Sequence, residues 1–230
     1  MKKELLAFSV LSAAFALVAG EYVSPNVVGR CDVTTVTKAS GVTKSKTIIP
    51  VPFLDYNADP ASATAIKVGE IIQVGNLAAG DKLYKIDGNS YKVWKLNSGK
   101  TAWELADTVL LGADAGEGEP VLARGDGFWL ETAAEKVTLM GQVPSSEAPV
   151  QVELAKGMNL VGVSTLAGKE LSAITGEKGD KIFFADGSRI ERGASAWGKR
   201  GDDSFDPSTY TLQAGTGFWY YSVSAKTITL

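Results

Sequence analysis

Carboxylates and indoles are the residues of this chain with chemistry to offer. Among its 230 residues are 26 Asp and Glu and five Trp, with one Cys (Cys31) and no His. Two carboxylates about 5–10 Å apart suffice for glycoside hydrolysis, but no spacing singles out such a pair. The lack of His removes the commonest general base and metal ligand. With it go Ser-His-Asp and Cys-His nucleophiles and zinc sites built from His or paired Cys. Asp202-Asp203-Ser204-Phe205-Asp206 sets oxygen ligands at alternate positions, as a Ca²⁺ loop does. It lacks the Gly and closing Glu of an EF-hand and reads as a solvated acidic loop, as do Asp114, Glu117 and Glu119. No catalytic, metal or cofactor residue is expected, and the chain reads as a non-enzyme.

The indoles point to sugar stacking or to a core. Trp103 and Trp197, and likewise Trp129 and Trp219, recur in the two halves of the chain and are expected inside. Trp94 has no counterpart and is the candidate glycan contact. Arg124-Gly125-Asp126 spells an integrin-type tripeptide, but the second half has Ala214-Gly215-Thr216 there. The glycine repeats and the charges do not, so the segment reads as a turn before a strand. Gly-x-Gly ahead of a strand also lacks the strand-to-helix setting of a dinucleotide fingerprint.

An internal repeat positions these residues. Val27–Arg30 (VVGR) matches Leu139–Gln142 (LMGQ), and Thr47–Val51 matches Asn159–Val163, both at an offset of 112. Gly80-Asp81-Lys82 matches Gly179-Asp180-Lys181 at 99, as Asp87-Gly88 matches Asp186-Gly187. Trp103 matches Trp197 at 94, and the segment ending at Trp129 matches the one ending at Trp219 at 90. The offset falls stepwise, as shorter loops in a second copy require. Two modules are expected, 21–138 and 139–230, with the Pro- and Ser-rich stretch Gln142–Val150 as the best linker.

Each module reads as all-β, a β-sandwich or small barrel with a few short helices. Short runs of β-branched and aromatic residues alternate with Gly, Asp, Asn and Ser clusters. The two Asp-Gly pairs are hairpin-turn dipeptides. Ile182-Phe183-Phe184 and Phe218–Tyr221 are apolar on both sides, as in strands covered on both faces. A short helix is expected over Trp103–Leu110, and a single turn at Leu171 and Ile174.

Residues 1–20 read as an export signal. Lys2 and Lys3 precede the uncharged apolar run Leu5–Ala19, which is shorter than a bilayer span and ends in Val18-Ala19-Gly20. The mature chain has a net charge of −4, which favours neither nucleic acid nor an anionic membrane surface. A single Cys outside the cell can make no internal disulfide.

Asn26-Val27-Val28-Gly29, Gly157–Gly162 (GMNLVG), the two Gly-Asp-Lys segments and the two GFW segments carry a resemblance. The mature chain resembles a set of uncharacterised secreted bacterial proteins with NVVG-start and repeated GWNLVG, GDKxY and GxGFW β-modules. The chain departs from that pattern at Met158, where Trp is the rule, and at KSKTIIPV in the first copy. The resemblance implies a fold and no activity.

Two functions are expected, from different classes. The first is an extracellular structural subunit of a fibre, surface layer or matrix, with copies of itself as partner. The first module ends in KVTL and runs into MGQV, whereas Leu230 ends the chain. Val27, Val28, Gly29 and Cys31 at one end and Thr227, Ile228, Thr229 and Leu230 at the other would then meet head to tail by strand contacts. The second is a polysaccharide-binding module using Trp94.

Overall fold

A computed structural model of the chain describes residues 28–36, 41–54, 66–88, 90–106, 118–143, 150–165 and 168–230. The expected export signal, Val27, Asp114 and Glu117 lie outside them.

The first module opens with β1 (Val28–Thr34) and β2 (Ser45–Pro50). The short β3 (Ile66–Lys67) leads into a one-turn helix, α1 (Val68–Ile71). There follow β4 (Lys82–Asp87), β5 (Ser90–Leu96), β6 (Trp103–Leu105), β7 (Val121–Leu122), β8 (Gly127–Thr132) and β9 (Lys136–Gln142). A five-stranded antiparallel sheet runs in the order β2-β8-β4-β5-β6, beside the pairs β1-β9 and β3-β7.

The second module repeats this with β10 (Gln151–Leu154), β11 (Gly157–Gly162), β12 (Lys169–Glu170), β13 (Lys181–Phe183), β14 (Arg189–Arg192), β15 (Trp197–Lys199), β16 (Thr211–Leu212), β17 (Gly217–Ser222) and β18 (Lys226–Thr229). Its five-stranded sheet is ordered β11-β17-β13-β14-β15, beside β10-β18 and β12-β16. The chain is thus two tandem all-β modules. Each has its own core, one around Ile49, Leu83, Phe128 and Leu130, the other around Val161, Ile182, Phe218 and Tyr220.

The sequence expectation is corrected at four places. Leu139–Gln142 does not open the second module: it is the end of β9, paired antiparallel with β1 so that Gly29 faces Gly141 and Cys31 faces Leu139. The counterpart of β1 is β10, because Val33 faces Val137 as Val152 faces Ile228. The shared glycine of VVGR and LMGQ has a local cause: Gly29 and Gly141 are cross-strand partners, and both have Phe53 against them. Trp103–Leu105 is a strand, not a helix start. Its side chains alternate, Trp103 buried and Glu104 exposed, and Trp103 faces Leu96 across the ladder. The other two, at Trp94 and at Trp129 with Trp219, are given below. The expected single turn is present as a 3-10 turn at Leu171–Ala173.

The Gly-Asp-Lys repeat has a packing cause. Asp81 and Asp180 are wholly buried. Each carboxylate bends back to accept a hydrogen bond from the N–H three residues earlier, Ala78 at 2.9 Å and Glu177 at 2.8 Å. Each also has a lysine: Lys44 Nζ lies 2.9 Å from Asp81, and Lys226 donates to Asp180. Thr132 completes the first site (2.6 Å) and Tyr220 the second (2.8 Å). A buried carboxylate is tolerated only when paired and bonded in this way.

The modules meet through equivalent strands. β2 and β8 of one pack on β11 and β17 of the other, and Ile48 and Leu160, which correspond to each other, are both buried there. Gly162 donates to Gly125 O across the seam at 2.9 Å, and Asp126 and Val161 form a bridge.

Candidate binding surface

Strand alternation decides which aromatic residues the molecule presents. Along β8 and β17, Phe128 and Phe218 turn into the two cores and are wholly buried. Trp129 and Trp219, one residue on, must therefore point to the opposite face. The repeated GFW segment thus holds one core residue and one outer-face residue, and the expectation that both Trp129 and Trp219 are core residues is corrected: each is only partly buried. Their rings meet edge to face across the seam, with centroids 6.0 Å apart and planes at 62°.

Other rings extend the row. Tyr84 is the cross-strand partner of Trp129, and Phe183 that of Trp219. Such pairs place Cβ atoms about 4.5–5.5 Å apart. Tyr91, 45% exposed, stands edge-on to Tyr84 at 6.4 Å. Tyr91, Tyr84, Trp129, Trp219 and Phe183 form an aromatic strip that runs from one sheet to the other.

Polar groups border it. Tyr84 donates its hydroxyl to Glu131 at 2.5 Å, and Lys46 Nζ stands 4.2 Å over the Tyr84 ring and 3.8 Å from Glu131. Burial, and then Glu131, hold the Tyr84 hydroxyl far above its usual range, so it stays a proton donor. Lys181 Nζ lies 5.7 Å from the Tyr221 ring. Met158, in the place where the resembled pattern has Trp, is 45% exposed.

The expected glycan contact is elsewhere. Trp94 is 3% exposed, buried in the first core, and its Nε1 donates to Gly118 O at 3.1 Å. It lies on the inner face of β5, where the second module has Ile190, which is why it has no Trp counterpart in the sequence. Trp103 and Trp197 are buried as expected, Trp197 Nε1 donating to Ile174 O at 3.0 Å.

The expected assembly residues occupy paired strands. Val28, Gly29 and Cys31 lie in β1 opposite Gln142, Gly141 and Leu139. Thr227, Ile228 and Thr229 lie in β18 opposite Glu153, Val152 and Gln151. Leu230 exchanges both backbone hydrogen bonds with Val150. β9 therefore does not run on into the second module as one shared strand; the closing strand of each module folds back on its own opening strand.

The carboxylates singled out earlier have local work. Arg124 and Gly125 form the expected turn, and Asp126 accepts from Ala123 N at 2.9 Å. Asp202 accepts from Ser204, and Asp206 from Ser208. Among the described residues no group of three His, Cys, Asp or Glu is placed to hold a metal ion. The outer-face strip escaped sequence reading because GFW looks uniformly apolar, and only the register of β8 and β17 divides it. No family profile, no curated protein and no solved structure matches the chain.

Proposed function

We propose that this is an exported, non-enzymatic β protein of the cell surface or extracellular matrix that binds polysaccharide along its aromatic strip. The supporting observation is the placement of Trp129 and Trp219, equivalent residues of two modules, on the outer face at the seam with Tyr84, Tyr91 and Phe183 beside them. A row of rings suits the apolar faces of successive sugars, and Lys46, Glu131 and the Tyr84 hydroxyl supply hydrogen-bonding groups for their edges. The buried Asp180 supports a non-enzymatic reading, because its bonds go to its own turn, Tyr220 and Lys226.

Tryptophan fluorescence, titrated with a panel of neutral soluble polysaccharides, tests this. At least one is expected to shift the emission, with the shift lost in Trp129→Ala and Trp219→Ala. Emission unmoved by the whole panel removes the reading.

A second reading, self-association into a fibre or layer, is favoured by a different observation. Among the described residues, β1 and β10 each have a single neighbour in their two-stranded sheets, and Val28 on β1 is 51% exposed. An open strand edge is a template for another chain. Negative-stain images of the purified protein would show polymers, and a strictly monomeric species over a wide concentration range would sink this reading.

A further inference from the structure

The two modules carry a depression in the same place, of balanced charge in the first and basic in the second. In the first module it is lined by Ala79, Gly80, Lys95, Leu96 and Glu104, among others, and encloses about 260 Å³. In the second it encloses about 410 Å³, and Lys178, Arg192, Lys199 and Arg200 line it, with Glu191 the only acid.

The backbone equivalence is tight. Gly80 N donates to Leu96 O and Leu96 N to Asp81 O, as Gly179 N donates to Arg192 O and Arg192 N to Asp180 O. Leu96 faces Trp103 as Arg192 faces Trp197. In this register the four cations of the second module replace Ala79, Leu96, Leu105 and Ala106 of the first. The fold asks for no charge at any of these positions, yet all four carry one, and they come from three separate segments of a chain whose net charge is −3.

None of the four is in an ion pair within 4 Å among the described residues, although Lys199 feels the Asp186 carboxylate at longer range. Lys178, Lys199 and Arg200 are exposed and form no salt bridge among the described residues. Arg192 Nε donates to Gly176 O at 3.3 Å, which anchors its guanidinium at the depression. The nearby carboxylates have partners of their own: Glu191 has Arg189 at 3.5 Å, Asp186 accepts from Ser188 N at 2.8 Å, and Asp202 Oδ1 accepts from Ser204 N and Oγ at 3.2 and 2.7 Å.

We propose that this depression of the second module is an anion site that takes the carboxylate, sulfate or phosphate groups of an acidic polysaccharide. It is separate from the aromatic strip, and its ligand chemistry is different. Guanidinium and ammonium groups grouped around a concavity give charge-assisted hydrogen bonds to such oxyanions. Binding should weaken as salt rises, since the groups are solvent-facing.

Calorimetric titration of the full chain with polygalacturonate, and separately with inorganic phosphate, tests the proposal. The variants are a Lys178→Ser, Lys199→Ser, Arg200→Ser triple and Arg192→Leu, which restores the residue type of the first module. Polygalacturonate affinity is expected to fall at least tenfold in the triple variant and less in Arg192→Leu. Lys95→Ser, at the first module's depression, should leave it unchanged. Phosphate binding with the same loss, without polygalacturonate binding, assigns the site to a free oxyanion. Equal affinity in wild type and triple variant, or no binding of either probe, overturns it. The three serine positions are exposed, so an unchanged thermal midpoint is expected and separates a binding defect from unfolding. Binding of neutral polysaccharides at the strip should be unaffected, which separates failure of this site from failure of the functional reading.

Discussion

Gly215 lies directly under Cys31. A Cβ built on this glycine would fall 2.8 Å from the Cys31 Sγ, although the two residues belong to different modules. Its equivalent, Gly125, stands under Val150 and Val152, where a Cβ would fall 2.9 and 2.4 Å from their methyl groups. The opening strand of each module therefore rests on the glycine turn of the other. The recurrence of glycine in RGDG and AGTG follows from this reciprocal contact.

The contact predicts a difference between two glycines of the same conformation. Gly187 (φ 82°) and Gly215 (φ 77°) both have positive φ, but only Gly215 is crowded. Gly187→Ala should cost the left-handed penalty of about 1–2 kcal/mol. Gly215→Ala should cost about 1–3 kcal/mol more, from overpacking at the seam. Urea midpoints of the two variants measure this, and equal losses would show that the seam tolerates the methyl.

Cys31 should react slowly. Burial, and then the neighbouring Asp32 carboxylate, push its thiol above the usual range, so little thiolate exists at neutral pH. Alkylation at pH 7.5 is expected to run at least about tenfold slower in the native protein than in urea. Equal rates would mean that β1 leaves the seam readily.

Asp180 should be the costlier of two aspartates to alter. Burial pushes its carboxyl up, but the bonds from Lys226, Val223 N, Glu177 N and Tyr220 outweigh this and leave it below the usual range. The lowered folded value means that its stabilisation is present above the unfolded pKa and is lost as pH falls through the folded one. Asp180→Asn leaves Lys226, itself 13% exposed, with the more exposed Glu177 carboxylate 3.7 Å away as its charged partner, and should lose about 3 kcal/mol at pH 7, the low end for breaking a buried pair. The gap between variant and wild type should narrow below about pH 4, and a gap independent of pH would refute the electrostatic account.

Asp126 should behave in the opposite sense. Burial raises its carboxyl, only partly offset by Ala123 N and Lys85. The folded state then holds the proton more tightly, so this group favours folding at low pH and disfavours it as pH rises through its folded value. Asp126→Asn keeps an oxygen for Ala123 N and removes the charge. Its thermal midpoint at pH 7 is expected to equal or exceed that of the wild type, and a clear fall would show that the charge is needed at the seam.

Much of the fold was legible because it rests on local rules. β-branched runs broken by Asp-Gly gave strands and hairpins, and the offset of 112 at Thr47–Val51 and those of 99, 94 and 90 align strands that do correspond. The opening strands were not legible: β1 and β10 share almost no residues, while β1 and β9 share a glycine because they pair there against Phe53. Trp103–Leu105 looked helical because Leu105, Val109 and Leu110 fall at helical spacing, but the ladder with β5 sets its conformation. The outer face was hidden for a similar reason, since the inward or outward sense of Trp94, Trp129 and Trp219 depends on register, which a one-residue shift reverses.

The bond that Gly162 gives to Gly125 has no mirror image. Its place in the first module is taken by Pro50, which lies opposite Gly127 as Gly162 lies opposite Gly217, and an imino acid has no N–H to offer Gly215. Two first modules could never exchange this bond; two second modules could exchange it twice. The near-symmetric chain is thereby made directional at this bond: the first half accepts it through Gly125 and cannot give it, and a freed second half, residues 150–230, is expected to pair with a copy of itself. A fragment 150–230 that stays monomeric at high concentration would refute this, and one that dimerises would make Pro50 the residue that keeps the two halves a couple.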